Sequence, residues 1–263
     1  MKKLYRIARA LFLVALVSPL GLAWLPPDRL PLELDPAFQA VLQSSFRQLS
    51  ITLAATLALA ALLTVALGYV SVLSQRFGRT GASILKAVES VPAILVALFC
   101  YAPVSGYLAR HSSGASQIVS LFVFILAATL TMLPEAVRGV AIPLGDLYHR
   151  KYSLSFRSYG FTKRRILAVL MGSHVMRGTL KRIAAGILLK TLVLDCSFGF
   201  IIQLGFGSYG TPAHASPGAL IAANRDALFE GGTPALFWLP SLLLVAISTS
   251  FLLTLGEREE TTA

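Results

Sequence analysis

This chain of 263 residues is 56% hydrophobic and only 13% charged. A typical soluble domain has about 25% charged residues, so this composition indicates a membrane protein and excludes an ordinary soluble domain. The formal net charge of +11 does not indicate a nucleic-acid-binding protein, because the basic residues lie in loops between apolar segments. Polytopic membrane proteins carry an excess of Lys and Arg in such loops.

Six apolar segments have the length that a membrane-spanning helix requires, which is about 20 residues for a hydrocarbon core of roughly 30 Å. The sequence therefore predicts an all-α polytopic membrane protein with about six transmembrane helices. The predicted spans cover residues 7–25, 48–74, 83–107, 117–133, 183–203 and 233–255. The first is predicted to be a retained anchor rather than a signal peptide, because no small-x-small cleavage site follows it.

The distribution of Lys and Arg predicts the orientation of these spans. Six spans place both termini on one side, which is predicted to be the cytoplasm because Lys2, Lys3, Arg6 and Arg9 precede the first span. The loops on that side contain Arg76, Arg79, Arg138, Arg150, Lys151, Arg157, Lys163, Arg164, Arg165, Arg177, Lys181, Arg182 and Arg258. The loops on the other side contain only Arg29, Arg47, Arg110 and Arg225. The Pro- and Gly-rich stretch 207–218 is predicted to lie in a loop on that other side.

The stretch of residues 146–182, between predicted spans four and five, is strongly basic and is predicted to form two short helices. Four aromatic residues in the first, about residues 147–159, recur at i, i+4, i+8 and i+11, so they are expected on one face. They are Tyr148, Tyr152, Phe156 and Tyr159. Gly160 follows at the position of a helix C-cap. Two interpretations stay open: this face packs on the protein's own helices, or it inserts into a partner.

Charged residues inside the predicted spans are costly and are often functional. Lys86 and Glu89 are spaced i, i+3 and are predicted to form a structural pair. Lys190 and Asp195 are five residues apart, so they do not share a helix face. Asp195 lies roughly 18 Å into its span and must face protein or a water-filled path. It is a candidate for the translocation path, and the alternative is a buried hydrogen bond between helices.

Motifs for catalysis or cofactor binding are not found in the sequence. It contains no HExxH, GxSxG or GxxxxGK[ST] pattern, and its four histidines lack the spacing of metal ligands. We therefore predict no catalytic residues, no metal and no cofactor. Without a P-loop motif, the chain is not expected to bind ATP in that manner by itself.

Several short motifs, in order along residues 34–257, carry a resemblance to a known family. They are Val91-Pro92, Val137-Arg138-Gly139, Asp195-Cys196-Ser197, Leu204-Gly205-Phe206-Gly207 and the segment Gly218–Phe229. Together they resemble a permease subunit of the peptide/nickel family of ABC importers, most closely the second, shorter permease of oligopeptide and dipeptide systems. The family's cytoplasmic coupling motif is Glu-Ala-Ala followed three residues later by Gly. Here Gly160 matches the Gly, whereas Leu154-Ser155-Phe156 stands in place of Glu-Ala-Ala.

This resemblance implies a multi-pass protein of the bacterial inner membrane that forms half of a heterodimeric translocation pathway for peptides, nickel or similar small solutes. The implied partners are a second homologous permease subunit, two cytoplasmic ATPases, an extracytoplasmic substrate-binding protein and membrane lipid, but no nucleic acid. Residues 1–33 would hold the anchor span, 34–257 the permease domain and 258–263 a cytoplasmic tail. The face ending at Gly160 would couple ATP hydrolysis, in separate subunits, to transport. The alternative is a secondary transporter that no ATPase drives.

Overall fold

The computed structural model describes Gly21, Ala23, Trp24 and residues 35–110, 114–206, 216–229 and 233–256. All regular secondary structure in these residues is helical, which confirms the predicted all-α class. The helices are α1 (Pro36–Leu73), α2 (Gln75–Glu89), α3 (Ala93–Arg110), α4 (Gly114–His149), α5 (Lys151–Ser158), α6 (Lys163–Met171), α7 (His174–Phe206), α8 (Pro217–Ala223) and α9 (Ala235–Gly256), with a 3-10 turn at Arg225–Leu228 before α9.

Three helices in the described part of the chain are long and apolar enough to cross a membrane: Pro36–Leu73, Ile118–His149 and His174–Leu204. They overlap the predicted second, fourth and fifth spans. A shorter apolar helix, Ala235–Phe251, lies in the predicted sixth span. The predicted first span falls outside the described residues apart from Gly21, Ala23 and Trp24.

The predicted third span is not one helix, because the chain breaks between α2 and α3. Pro92 has no N–H to donate, and its ring disfavours the helical conformation at Val91. The Ser90 N–H therefore makes one of the last bonds of α2, to the Lys86 carbonyl at 3.1 Å. The Leu95 N–H starts the next helix by bonding the Pro92 carbonyl at 2.9 Å.

The long helices extend well beyond the predicted spans. α4 has 36 residues, or about 54 Å at 1.5 Å per residue, against roughly 30 Å of hydrocarbon. The fourth span is predicted to end at Leu133, and the helix continues past this residue through Pro134 and Pro143. Likewise, most of the predicted basic loop is helical, and Arg177, Lys181 and Arg182 lie on α7.

Helix α7 is central, because it contributes to all three clusters of buried apolar side chains. In the first, which joins α1, α3, α4 and α7, Phe198 packs against Tyr101 and Phe124 with ring centroids 5.1 Å apart in each pair. The second cluster joins α7 to α1, α8 and α9 through residues such as Leu192. The third packs Met176 of α7 against α4 and α6 at the end of the bundle that carries the short helices α5 and α6. We call this the loop end.

Helices α7 and α8 approach each other very closely at two glycines. A Cβ atom on Gly218 would lie 1.9 Å from the Cys196 carbonyl oxygen, and one on Gly199 would lie 1.8 Å from the Ser216 Oγ atom. Ser216 is buried and caps α8 by accepting a hydrogen bond from the Ala219 N–H at 3.2 Å. Ser216 and Gly218 are predicted to lie in a loop, but they are buried at the start of α8.

Candidate functional site

Helices α5 and α6 form a compact unit, residues 151–171, which we call the α5–α6 unit. Gly160 has a φ of +77°, a conformation that residues with a Cβ atom rarely adopt. Its N–H bonds the Arg157 carbonyl at 2.9 Å, and the Phe161 N–H bonds the Phe156 carbonyl at 3.1 Å. With the edge-on contact of the Phe156 and Phe161 rings, centroids 5.9 Å apart, this is a Schellman motif. The prediction that Gly160 ends the helix is confirmed.

The single helix predicted for residues 147–159 is interrupted at Arg150, which is extended with φ −70° and ψ 157°. Two side chains of α5 donate to carbonyl groups in the last turn of α4, where the regular helical hydrogen bonds end. The Ser153 hydroxyl donates to the Leu147 carbonyl at 2.8 Å, and the Arg157 guanidinium donates to the Tyr148 carbonyl at 2.7 Å. Tyr148 consequently lies on α4 and not on the helix that carries the other predicted aromatic residues.

The predicted aromatic residues have different environments. Tyr148 is half-buried beneath the Arg157 guanidinium, whose carbon is 4.0 Å from the ring centroid. Phe156 is half-buried against Phe161. Tyr159 is 80% exposed, and the side chain of Tyr152 lies outside the described part of the chain. Inward packing thus accounts for Tyr148 and Phe156, whereas Tyr159 is available to a partner.

An exposed stripe runs along α5 on the side away from this packing. Its residues recur with helical spacing, and all five are exposed: Lys151, Leu154, Ser155, Ser158 and Tyr159. We call this the outer face of α5. It includes Leu154 and Ser155 and ends next to Gly160.

The α5–α6 unit is fixed to the long helices by polar and apolar contacts. Lys163, at the start of α6, would be unfavourable beside the positive end of that helix's own dipole. Its Nζ atom instead donates to the Leu73 carbonyl at the C-terminal end of α1, at 3.0 Å, where a cation is favourable. The Tyr69 hydroxyl donates to the Arg164 carbonyl at 3.0 Å. Below them, Leu167 of α6 is fully buried in the third apolar cluster.

A second candidate region is an open groove between α4 and α7, with a cavity of about 340 Å³. Its lining includes Met132, Glu135 and Gly139 of α4 and Arg182, Gly186 and Lys190 of α7. We call this the α4–α7 groove. Glu135 and Lys190 form an ion pair across it, and their side chains are 66% and 49% exposed.

A second ion pair lies beside the groove and joins Arg138 of α4 to Glu89 of α2. The sequence predicted Lys86 as the partner of Glu89, but the partner in the structure is Arg138. Arg138 and Glu135 are three residues apart, so α4 carries two opposite charges on neighbouring positions of one face. Charges within apolar helices are costly in contact with lipid, and they normally face other protein or water. This side of α4 is therefore suited to a partner or an aqueous path.

Sequence reasoning missed Glu135 because it ended the fourth span at Leu133. Lys190 was recognised as a charge within a span but had no predicted partner. The available signal was the apolar pattern that continues past Leu133-Pro134-Glu135 as far as Leu147. In a long apolar helix, a single Glu resembles the costly in-span charges that often have a function.

Asp195, the predicted path residue, is fully buried and does not line the α4–α7 groove. Its neighbours on α7 belong to the packed interior: Leu192 to the second apolar cluster, and Leu194 and Phe198 to the first. Asp195 and Lys190 point in different directions from α7, as their spacing predicted. The described residues contain no group of three His, Cys, Asp or Glu placed to hold a metal.

Comparison with known proteins finds no family model and no curated protein that matches this chain.

Proposed function

We propose that this chain is one permease subunit of an ATP-driven ABC importer and forms half of a membrane pathway for peptides or similar small solutes. The observation that carries the proposal is the α5–α6 unit. It is a short helical unit fixed to one end of three long apolar helices, with an exposed helix face directed away from them. A separate motor protein requires such a rigid attachment point on its membrane partner.

The contacts of the α5–α6 unit provide a route for mechanical coupling. Ser153 and Arg157 bond carbonyl groups at the end of α4, and α6 is joined through Ser173 to α7, which begins at His174. A force on the outer face of α5 would therefore reach both helices that line the α4–α7 groove. The proposed function assigns the loop end to the cytoplasm, in agreement with the clustering of Lys and Arg there.

The α4–α7 groove would form one wall of the pathway, and a second homologous permease subunit would supply the facing wall. Two cytoplasmic ATPases would bind at the loop ends of the two permeases. When they close on ATP, they would rotate α4 relative to α7 and expose the groove to each side in turn. A substrate-binding protein outside the membrane would deliver the solute.

Affinity purification of the tagged full chain from its native membranes in mild detergent tests this proposal. We expect a second apolar subunit of similar size and a P-loop ATPase to co-purify, and the preparation to hydrolyse ATP. The matched control is the same chain with the exposed Leu154 and Tyr159 both changed to Ala, which should retain the second permease and lose the ATPase. Purification of the chain without any ATPase contradicts the proposal.

A secondary transporter is the second candidate, and specific observations favour it. Coupling to an ion gradient requires ionisable residues within the membrane, and Glu135, Lys190 and Asp195 all lie in apolar helices. Transport assays in vesicles separate the two candidates. Uptake that stops on ATP depletion while the proton and sodium gradients are held constant supports the importer, and uptake that continues supports the secondary transporter.

A further inference from the structure

We infer that the α4–α7 groove selects for anions, so that the transported solute carries a carboxylate, a phosphate or another negatively charged group. The inference rests on the proposed function for the claim that a solute passes through the groove. The claim that this solute is anionic rests on the groove's own charges.

The charges on the groove do not balance. Glu135 and Lys190 neutralise each other, while Arg182 adds a positive charge on the same side of α7. Positions 182, 186 and 190 recur every fourth residue, so the two cations stand two turns apart, about 12 Å along the axis. A carboxylate or phosphate lying along α7 near Gly186 would be between them.

Apolar side chains form much of the remaining lining, and they strengthen the effect of this excess charge. Met132 and Ala136 of α4 and Ile187 of α7 belong to the first apolar cluster and are buried. Walls of low dielectric constant focus the field of the charges between them. The second ion pair, between Arg138 and Glu89, lies beside the groove and is internally neutral.

Glu135 acts in this arrangement as a built-in competitor of the solute. Its carboxylate accepts a hydrogen bond from the Lys190 ammonium group in the structure, so an incoming anion has to displace the Glu135 carboxylate from Lys190. Both side chains are substantially exposed, which keeps the exchange accessible from the groove. Lys190 is accordingly a specificity-determining residue, and Glu135 sets the affinity that an anion needs in order to bind there.

A reporter thiol in the groove can test these charges without knowledge of the solute. Gly186 is suitable, because it lines the groove and a Cβ atom at this position meets nothing within 4 Å. The thiol of Gly186→Cys in the full chain, in inverted membrane vesicles, is treated with two methanethiosulfonates of similar size. One carries a sulfonate and the other a trimethylammonium group. Rates are divided by those for free glutathione and corrected for the native Cys100 and Cys196, measured on the unsubstituted chain.

The anionic reagent is expected to react about tenfold faster than the cationic one after this correction, because one excess charge acts at short range in a groove of reduced dielectric constant. Adding Glu135→Gln should raise the ratio severalfold, and adding Arg182→Gln should bring it close to one. Arg182→Gln leaves the Glu135–Lys190 pair intact, so its effect does not depend on breaking a contact between helices. Gly145→Cys on α4, where a Cβ atom also meets nothing within 4 Å, is the control. Its ratio should not respond to Arg182→Gln.

The headgroup of an anionic lipid has the same charge as the proposed solute. The labelling is therefore repeated on the purified chain. The full chain is reconstituted into phosphatidylcholine with and without phosphatidylglycerol, and rates that do not depend on phosphatidylglycerol support a soluble anion. Suppression of the anionic reaction by phosphatidylglycerol overturns the inference in favour of a lipid site. Three further results overturn it. The anionic reagent reacts no faster than the cationic one, the ratio of the two rates does not change with Arg182→Gln, or Gly186→Cys is not labelled. Each of these results leaves ATPase co-purification unchanged and can be distinguished from a failure of the proposed function.

Discussion

The α5–α6 unit and the α4–α7 groove both contain several charged residues, but they use them differently. In the α5–α6 unit, Lys163 and Arg157 donate to backbone carbonyls and lie near the ring of Tyr148. These cations are structural and fix short helices to long ones. In the groove, Glu135 and Lys190 contact each other and remain about half exposed or more. Charged groups that stabilise the fold are already bonded to other groups of the protein, whereas exposed charged groups in an apolar groove are available to bind a ligand.

The largest expected effect concerns the side of the membrane on which the α5–α6 unit lies. We expect a thiol from Ser158→Cys, on the outer face of α5, to react with an impermeant reagent only from the cytoplasmic side. Phe229 is 82% exposed, and Phe229→Cys should react only from the opposite side. Ser216 is unsuitable for such a test, because it is buried. Labelling of both positions from one side would remove the basis for treating the α5–α6 unit as a motor contact.

The next largest effect distinguishes Tyr159, which faces a partner, from Phe156, which packs inside the α5–α6 unit. Aromatic anchors can cost about 2 kcal/mol when truncated at an interface. Tyr159→Ala should therefore weaken ATPase binding about 30-fold and leave thermal stability unchanged. Phe156→Ala should lower stability by about 1 kcal/mol or more through lost packing. Quantitative co-purification and thermal melting of both variants measure this, and the opposite assignment of effects would return the docking role to Phe156.

Charge reversal in the groove should have an intermediate effect. Lys190→Glu places two carboxylates together and should lower solute-stimulated ATP hydrolysis about tenfold, since like charges in an apolar setting repel and must be hydrated. Glu135→Lys combined with Lys190→Glu restores the pair, so it should recover assembly and stability. It should not recover full activity if Lys190 binds solute. Complete recovery of activity by the double variant would show that the pair is structural, like the cations of the α5–α6 unit.

The smallest effect is expected at Gly160. Gly160→Ala puts a Cβ atom on a residue with φ +77°, which costs about 1 kcal/mol of folding free energy. Because a Cβ atom here meets nothing within 4 Å, the penalty comes from the backbone alone. Gly145→Ala, in a helical and equally open position, is the control and should be neutral or slightly stabilising. Denaturant titration in detergent measures both, and equal stabilities would mean that the Schellman geometry is dispensable.

The sequence predicted well those features that depend on local chemistry. Apolar runs located the long helices, and Gly160 marked the end of α5. Prediction failed where a tertiary contact decides the local structure. The break at Arg150 depends on Ser153 and Arg157 covering the carbonyls of α4, which no helical periodicity reveals. The partner of Glu89 was assigned to its own helix because Arg138, 49 residues away, is brought near only by the fold.

The candidate site was predictable to a smaller extent. The exposed end of the aromatic stripe, at Tyr159, was among the predicted residues, whereas Glu135 and Arg182 were not recognised as groove residues. Arg182 is predicted to lie in the basic loop just before the fifth span, and Glu135 lies just past the predicted end of the fourth. For Asp195 the sequence leaves two environments open, an aqueous path or a buried contact between helices, and the choice between them requires knowledge of the faces that α7 presents to its neighbours.

The two prolines of α4 have a consequence for how the groove can change shape. Pro134 and Pro143 lack an N–H, so the carbonyls of Leu130 and Gly139 cannot receive the usual helical bond. The two gaps bracket about two and a half turns of helix that carry Glu135 and Arg138. This segment is consequently able to swivel as a short rod between two weakened joints. Its two charges would then turn together about the axis of α4, so that one rotation changes the geometry of both ion pairs at once.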